Sequence, residues 1–114
     1  SKITVQLDLK LIEQVLINLI TNSIYAVEEN ENPYISVKYR LENTKLYIDV
    51  TDNGKGIESD DLEKIFVPFY TTRKNGSGIG LTISRNIMKM HRGSIEVVSA
   101  PTEQTTFSLV FNYL

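Results

Sequence analysis

Two hydrophobic periods follow one another at the start of the chain. Apolar and polar residues alternate over 3–7, which predicts a short half-buried strand. Asp8 is a typical helix N-cap, and beyond it apolar residues recur every three or four positions, so we predict a helix that runs to about Glu28. The positions of its buried face are Ile12, Val15, Leu16, Leu19, Ile20, Ser23, Ala26 and Val27.

The middle of the chain returns to the period of a strand. Alternation over 35–41 and 46–50 predicts two strands, and the polar turn at 42–44 predicts a hairpin whose second arm ends at Asp52. Two glycines close together make 52–56 a loop.

The second half of the chain contains the remaining helices and strands. Ser59 is the predicted N-cap of a short helix, and the Pro-, Thr- and Gly-rich stretch 67–78 predicts a mobile loop. We predict a second long helix over 79–91 and two closing strands around 95–97 and 107–111.

This order of elements is typical of an α+β domain, a two-layer sandwich with the sheet on one side and helices on the other. A chain of 114 residues with 41% hydrophobic content fits one domain, 1–114, with one core. We see no repeat and no low-complexity segment.

Composition excludes several classes of function. A net charge of -2 gives no basis for binding nucleic acid or an anionic membrane, so a bound polyphosphate would need locally placed donors. The absence of cysteine excludes disulfides, thiolate metal sites and thiol catalysis, and it fits a cytoplasmic location. No apolar run approaches the roughly 18 residues of a membrane span.

Two asparagines on the first helix form the first candidate site. Asn18 and Asn22 are four residues apart and therefore share one helix face at the border of the apolar stripe. Amide oxygens suit Mg²⁺, which usually shares the phosphates of a substrate. The same pair also fits two ordinary surface asparagines.

The loop from Asp52 to Gly56 is the second candidate. A carboxylate at a strand end can accept the exocyclic amine of adenine, and the glycines beyond it let a flat ring approach the backbone. An Asx turn leaving a strand explains the same residues.

The third candidate is the glycine-rich start of the second long helix, 76–81. Its free N–H groups and helix dipole favour an anion, and Arg73 and Lys74 just upstream can reach a β- or γ-phosphate. A dinucleotide fingerprint and a P-loop both fail, because the glycines alternate strictly and no Gly-Lys-Ser/Thr ending is present. A flexible glycine linker is the plain alternative.

The order of these signals resembles the catalytic domain of bacterial sensor histidine kinases, in the superfamily that includes gyrase B, MutL and the heat-shock chaperone ATPases. The matching segments are 14–23 (the N box), 52–56 (the G1 box), 66–69 (the F box) and 76–81 (the G2 box). The resemblance covers nearly the whole chain. It implies the Bergerat ATP-binding fold, in which helices cover one face of a mixed β-sheet.

The resemblance also implies roles for these residues. Asn22 would be the Mg²⁺ ligand, supported by Asn18, and Asp52 would bind the adenine amine with help from Thr105 through a water. The catalytic group would comprise Asn18, Asn22, Arg73 and Lys74. The further nucleotide-binding residues would be Gly54, Gly56, Ile57, Phe66, Phe69, Thr72, Lys74, Gly76, Gly78, Ile79, Gly80 and Leu81. Phe66 and Phe69 would anchor an ATP lid over 70–77.

Three departures from the family pattern matter. Tyr25 stands where the family often has a lysine or histidine, so Arg73 and Lys74 would have to provide more of the phosphate contacts. Gln104 replaces the glycine that usually precedes the late threonine, Thr105. The helical hairpin with the phosphoacceptor histidine has no counterpart in 1–114, which we interpret as truncation.

His91 is the one histidine of the sequence, and it falls at the end of the second long helix. It lies eleven residues beyond Gly80, or about 16 Å along the helix axis. We therefore predict a capping or packing role rather than a catalytic one.

The resemblance implies a histidine kinase that uses ATP and Mg²⁺ and donates the γ-phosphate to a histidine on a separate domain of the same protein. The next partner would be a response regulator. The parent would be a homodimer with this domain in the cytoplasm, compatible with an anchor in the inner membrane. The alternatives are a nucleotide-gated binding module or serine kinase of the anti-sigma type, and an ATPase of the gyrase or MutL type. Asn18 argues against the ATPase, since those relatives carry a glutamate there as general base.

Overall fold

The computed structural model describes residues 5–70, 79–100 and 103–113. Its elements, in chain order, are α1 (Leu9–Ala26), β1 (Ile35–Glu42), β2 (Lys45–Asp52), α2 (Gly80–Met90), β3 (Ser94–Ala100) and β4 (Gln104–Asn112). The four strands form one sheet in the order β1-β2-β4-β3, and every neighbouring pair is antiparallel.

The helices pack on one face of this sheet, which confirms the predicted α+β architecture. The core is shared between helix and strand residues: Ile12, Val15, Leu19, Ile87 and Met88 on the helices, and Val50, Phe107, Leu109 and Phe111 on the sheet. Alternation along β4 directs its aromatic and leucine side chains into this core. Among the described residues, no helix combines the length and apolar content that crossing a membrane requires.

The two long helices lie close to their predicted bounds. The Asp8 side chain caps α1 by accepting the Leu11 N–H at 3.2 Å. α1 ends at Ala26 rather than near Glu28, because the Ala26 carbonyl accepts the Lys55 N–H at 3.1 Å instead of continuing the helical ladder. α2 is one residue shorter at each end than the predicted segment 79–91.

Two short elements differ from the sequence prediction. Residues 5–8 form no strand, and 1–4 lie outside the described residues, so the described sheet is antiparallel rather than mixed. The prediction of a short helix after Ser59 is wrong as well. Residues 59–66 form successive turns, with hydrogen bonds such as Asp61 N–H to the Glu58 carbonyl, because so short a segment gains too few helical bonds to offset nucleation.

Candidate functional site

The buried carboxylate of Asp52 lies at the end of β2, on the face of the sheet that packs against the helices. The residue is only 2% exposed, and its Oδ1 accepts the Gly54 N–H at 2.9 Å. This single turn contact leaves most of the acceptor capacity of the carboxylate unused by the described residues. A buried carboxylate requires donors, and an exocyclic amine is one.

A row of three polar residues crosses the end of the sheet at this point. Thr105 on β4 is paired with Asp52 on β2 and with Ser99 on β3, so the three side chains lie on one face. Thr105 is 3% exposed, and its hydroxyl lies 2.6 Å from the Ser99 hydroxyl. The Ile57 N–H donates to Ser99 Oγ at 2.9 Å. The sheet therefore brings together Asp52, Thr105 and the loop of Ile57, which the family resemblance assigns to one site.

Ser99 was missed by the sequence reasoning. Its only signal is its position six residues before Thr105, which becomes informative once β3 and β4 are recognised as an antiparallel pair.

The loop after Asp52 packs tightly against the end of α1. A Cβ on Gly54 would lie 2.3 Å from the Ala26 carbonyl oxygen, so glycine is required there by the approach to the helix backbone. The approach of a flat ring to these glycines stays a prediction. Gly56 has a φ of 79°, which glycine adopts without strain. The two glycines fix the loop beside the buried carboxylate.

The two candidate asparagines have different environments. Asn18 Nδ2 donates to the Gly80 carbonyl at 3.3 Å and to Ser84 Oγ at 3.1 Å, which ties α1 to the first turn of α2. Asn22, one helical turn further, is half-buried, and its side chain forms no hydrogen bond with the described residues. Asn18 thus has the geometry of a supporting residue, while the Asn22 amide remains available to a ligand.

Ser23, next to Asn22, has an unusual hydroxyl. Its side chain is 1% exposed, and its Oγ has no hydrogen-bond partner among the described residues. Ser23 precedes Ala26 by one helical turn, and Ala26 contacts the loop at Gly54. Because a buried hydroxyl without a partner is costly, it supports a polar ligand at this end of α1.

The first turn of α2 presents N–H groups without intrahelical acceptors. Ile79 is the N-cap, and no side chain of the described residues caps the helix. The N–H groups of Gly80, Leu81 and Thr82 precede the first intrahelical donor, the N–H of Ile83. Such a helix start favours an anion. Thr82 Oγ1 donates to the Phe66 carbonyl at 2.8 Å and thereby attaches this turn to the F-box segment.

The two phenylalanines of that segment lie in different places. Phe66 packs against the core, with the Arg85 guanidinium 5.3 Å from its ring centre. Phe69 is 77% exposed and has a φ of 68°. Phe66 is therefore held by the core and Phe69 is not, and the role of both as anchors of a lid stays a prediction. The Tyr70 hydroxyl donates to Asp61, and this hydrogen bond raises the pKa of Tyr70.

Several predicted site residues cannot be placed. Thr72, Arg73, Lys74, Gly76 and Gly78 lie outside the described residues, as does the predicted lid beyond Tyr70.

His91 connects the two helices away from this site. Its Nε2 accepts the Asp8 N–H at 2.9 Å, and its Nδ1 lies 2.8 Å from the Ile87 carbonyl. An Nε2 that accepts requires a neutral imidazole with its proton on Nδ1, which donates to Ile87. Both ring nitrogens are engaged, in agreement with a capping and packing role.

The described residues offer too few ligands to hold magnesium without the phosphates of a substrate. Among the described residues, no group of three or more His, Cys, Asp or Glu side chains could hold a metal ion. Mg²⁺ usually binds through one or two protein oxygens together with phosphates and water. The free amide of Asn22 fits this mode.

Comparisons with known proteins identify the family of the chain. A family model for histidine kinase-, DNA gyrase B- and HSP90-like ATPases matches residues 7–113. The sensor histidine kinase ZraS of Escherichia coli K12 is 40% identical over 105 residues, which is 92% of this chain and 22% of that protein. The C4-dicarboxylate transport sensor protein DctB of Rhizobium meliloti is 41% identical over 98 residues, 86% of this chain and 16% of that protein. The chain thus spans about a fifth of the length of these relatives.

Solved structures give the same result. The catalytic domain of histidine kinase ThkA has a TM-score of 0.81 and 35% identity, covering 95% of this chain and 70% of that one. The mycobacterial sensor histidine kinase MprB has a TM-score of 0.84 at 21% identity, over 97% of this chain and 76% of that one, which shows the shared fold. The chain belongs to the family of histidine kinase-, DNA gyrase B- and HSP90-like ATPases, and within it to the catalytic domains of sensor histidine kinases.

Proposed function

We propose that this chain binds Mg-ATP and presents the γ-phosphate to a histidine on a separate phosphoacceptor domain. The observation that carries the proposal is the buried Asp52 carboxylate beside Thr105, at the end of the sheet that faces the helices. A hydrogen-bond acceptor at this place can bind the N6 amine of adenine. Family membership also implies a site for ATP.

The phosphate end of the nucleotide would lie between the two helices. Asn22 would ligand Mg²⁺ through its amide oxygen, and the metal would neutralise charge on the phosphate oxygens. Asn18 would hold the start of α2 beside it through the Gly80 carbonyl. Arg73 and Lys74 remain proposed phosphate contacts. In phosphoryl transfer the protein contributes mainly positioning and charge neutralisation.

Two features support transfer to an external histidine rather than internal chemistry. Asn18 occupies the place of the general base in the hydrolysing relatives, and an amide does not take up a proton from water. The imidazole of His91 is engaged at both nitrogens in the contact between Asp8 and Ile87. The chain therefore needs an imidazole from another domain.

The partners follow from this role. The first acceptor would be the histidine hairpin of the same protein, in a homodimeric parent, and a response regulator would take the phosphoryl group from it. The relatives named as sensor histidine kinases support this assignment over the anti-sigma type of module or serine kinase.

Calorimetric titration of the chain with ATP and with GTP, each with Mg²⁺, tests the binding half of the proposal. We expect saturable binding of ATP and a clear preference for ATP over GTP. A folded chain that binds neither nucleotide, or both equally, would contradict it.

A further inference from the structure

Ser99 joins two parts of the adenine site. It receives the Ile57 N–H from the loop after Asp52 at 2.9 Å, and its hydroxyl lies 2.6 Å from the hydroxyl of Thr105. Among the described residues these are its side-chain hydrogen bonds. One oxygen on β3 therefore holds both the loop and the threonine.

Either hydroxyl of this pair could donate, and the contact of Ser99 with Ile57 favours one of the two directions. A hydroxyl has one proton and two lone pairs, and the Ile57 N–H already occupies one lone pair of Ser99. Accepting this N–H makes the Ser99 O–H a stronger donor, because consecutive hydrogen bonds polarise one another. The Ser99 proton then goes to Thr105, and the Thr105 proton is left for a group in the pocket.

This direction creates a pattern of acceptor and donor at the end of the sheet. Asp52 is an acceptor, and the neighbouring Thr105 hydroxyl becomes a donor on the same face. Adenine presents the complement, the N6 amine as donor and N1 as acceptor. Guanine presents O6, an acceptor that opposes the Asp52 carboxylate, and N1–H, a donor that cannot accept the Thr105 proton.

We propose that Ser99 is a positioning residue that fixes the Thr105 hydroxyl as a donor toward N1 of adenine, directly or through one water. The role rests on the proposed binding of ATP by this domain. Ser99 does not touch the nucleotide; it sets the selectivity through Thr105 and at the same time holds the loop at Ile57.

The test compares binding of ATP with binding of 1-deaza-ATP, which has a C–H group in place of N1. Ser99→Ala should weaken ATP binding about three- to tenfold more than 1-deaza-ATP binding, since the loss of the loop contact at Ile57 affects both nucleotides and the loss of the oriented hydroxyl affects ATP alone. The preference of the unmodified chain for ATP over 1-deaza-ATP should fall by that factor. Thr105→Val should abolish the preference, and the double variant should discriminate between the two nucleotides no better and no worse than Thr105→Val alone.

Matched variants separate this role from a structural one. Thr106→Val removes the hydroxyl contact with Thr51, 2.8 Å, on the opposite face of the same strand, and should keep the preference for ATP. Ser99→Thr keeps the hydroxyl and should also keep the preference for ATP. Thermal unfolding of each variant establishes that it is folded.

Two results would overturn the proposal. One is a Ser99→Ala variant that still discriminates ATP from 1-deaza-ATP like the unmodified chain. The other is loss of discrimination in a folded Ser99→Thr variant. An unmodified chain that fails to bind ATP would contradict the proposed function itself, so the two failures are distinguishable.

Discussion

Asp52 is the residue on which the proposed nucleotide selectivity depends. Its carboxylate is almost fully buried and receives one backbone N–H, from Gly54. A charged acceptor that is shielded from water interacts strongly with a well-placed donor and opposes another acceptor. This carboxylate should therefore attract the N6 amine of adenine and repel O6 of guanine.

Replacing Asp52 by alanine should remove most of the preference for ATP over GTP. Loss of a hydrogen bond to a charged acceptor costs about 1.5–3 kcal/mol, so ATP affinity should fall about ten- to a hundredfold. Calorimetry with both nucleotides measures the change, and Asp60→Ala, at an exposed position, is the control. An Asp52→Ala variant that prefers ATP as strongly as before would refute the assignment.

Asn22 should account for the magnesium dependence of binding. Its amide has no partner among the described residues, so Asn22→Ala should weaken Mg-ATP binding and leave metal-free binding of the adenosine part largely intact. Titrations with ATP in the presence of Mg²⁺ and in the presence of a chelator measure the two affinities. Gln14→Ala, on the exposed face of the same helix, is the matched control. Equal losses in both titrations would assign Asn22 to the fold instead.

The sequence identified some residues of the site and missed others for a physical reason. Asp52 ends an obvious strand, and Asn18 and Asn22 share a helix face by their spacing, so local patterns indicate them. Ser99 acquires its role only through the register of β3 and β4, and Ser23 looks like any small core residue of an amphipathic helix. Local periodicity does not predict contacts between segments that are distant in the sequence.

At the scale of elements, the end of α1 and the loop after β2 determine each other's shape. The Lys55 N–H donates to the Ala26 carbonyl, and Gly54 lies directly against the same carbonyl. This contact ends the helix two residues before the predicted boundary. It also fixes the loop that carries Ile57 to Ser99.

Gly54→Ala should therefore damage both stability and binding. A Cβ 2.3 Å from a backbone oxygen forces the loop away from α1, and overpacking of this kind costs about 1–3 kcal/mol. Urea denaturation measures the free energy of unfolding. Gly80→Ala is the control for stability, because its nearest atoms would be 3.8 Å away. An unchanged unfolding free energy for Gly54→Ala would show that the loop does not need this approach.

The elements that the sequence predicted correctly are the long periodic ones. α1, α2 and the four strands each have enough residues for a period of 3.6 or 2 to be unambiguous. The predictions over 3–7 and 59–66 rest on few residues, and a cap at Ser59 alone cannot compensate for helix nucleation.

At the scale of the whole molecule, the described part of the chain contains the proposed nucleotide site and one histidine, whose two ring nitrogens are both engaged. His91 holds Asp8, at the start of α1, to Ile87, near the end of α2, and so serves the packing of the helix layer. The proposed adenine site lies at the Asp52 end of the sheet, and α2 begins near Asn18. Under the proposed function, a separate domain completes the reaction.

Incubation with γ-labelled ATP and Mg²⁺ measures directly which domain receives the phosphoryl group. The chain is tested alone and together with the histidine hairpin from its own gene, as the unmodified protein and as His91→Gln. We expect label on the hairpin, the same amount with His91→Gln, and little free phosphate from the chain alone, since Asn18 cannot act as a base. Label on the isolated chain that His91→Gln abolishes, or rapid release of phosphate without the hairpin, would contradict transfer to a separate histidine.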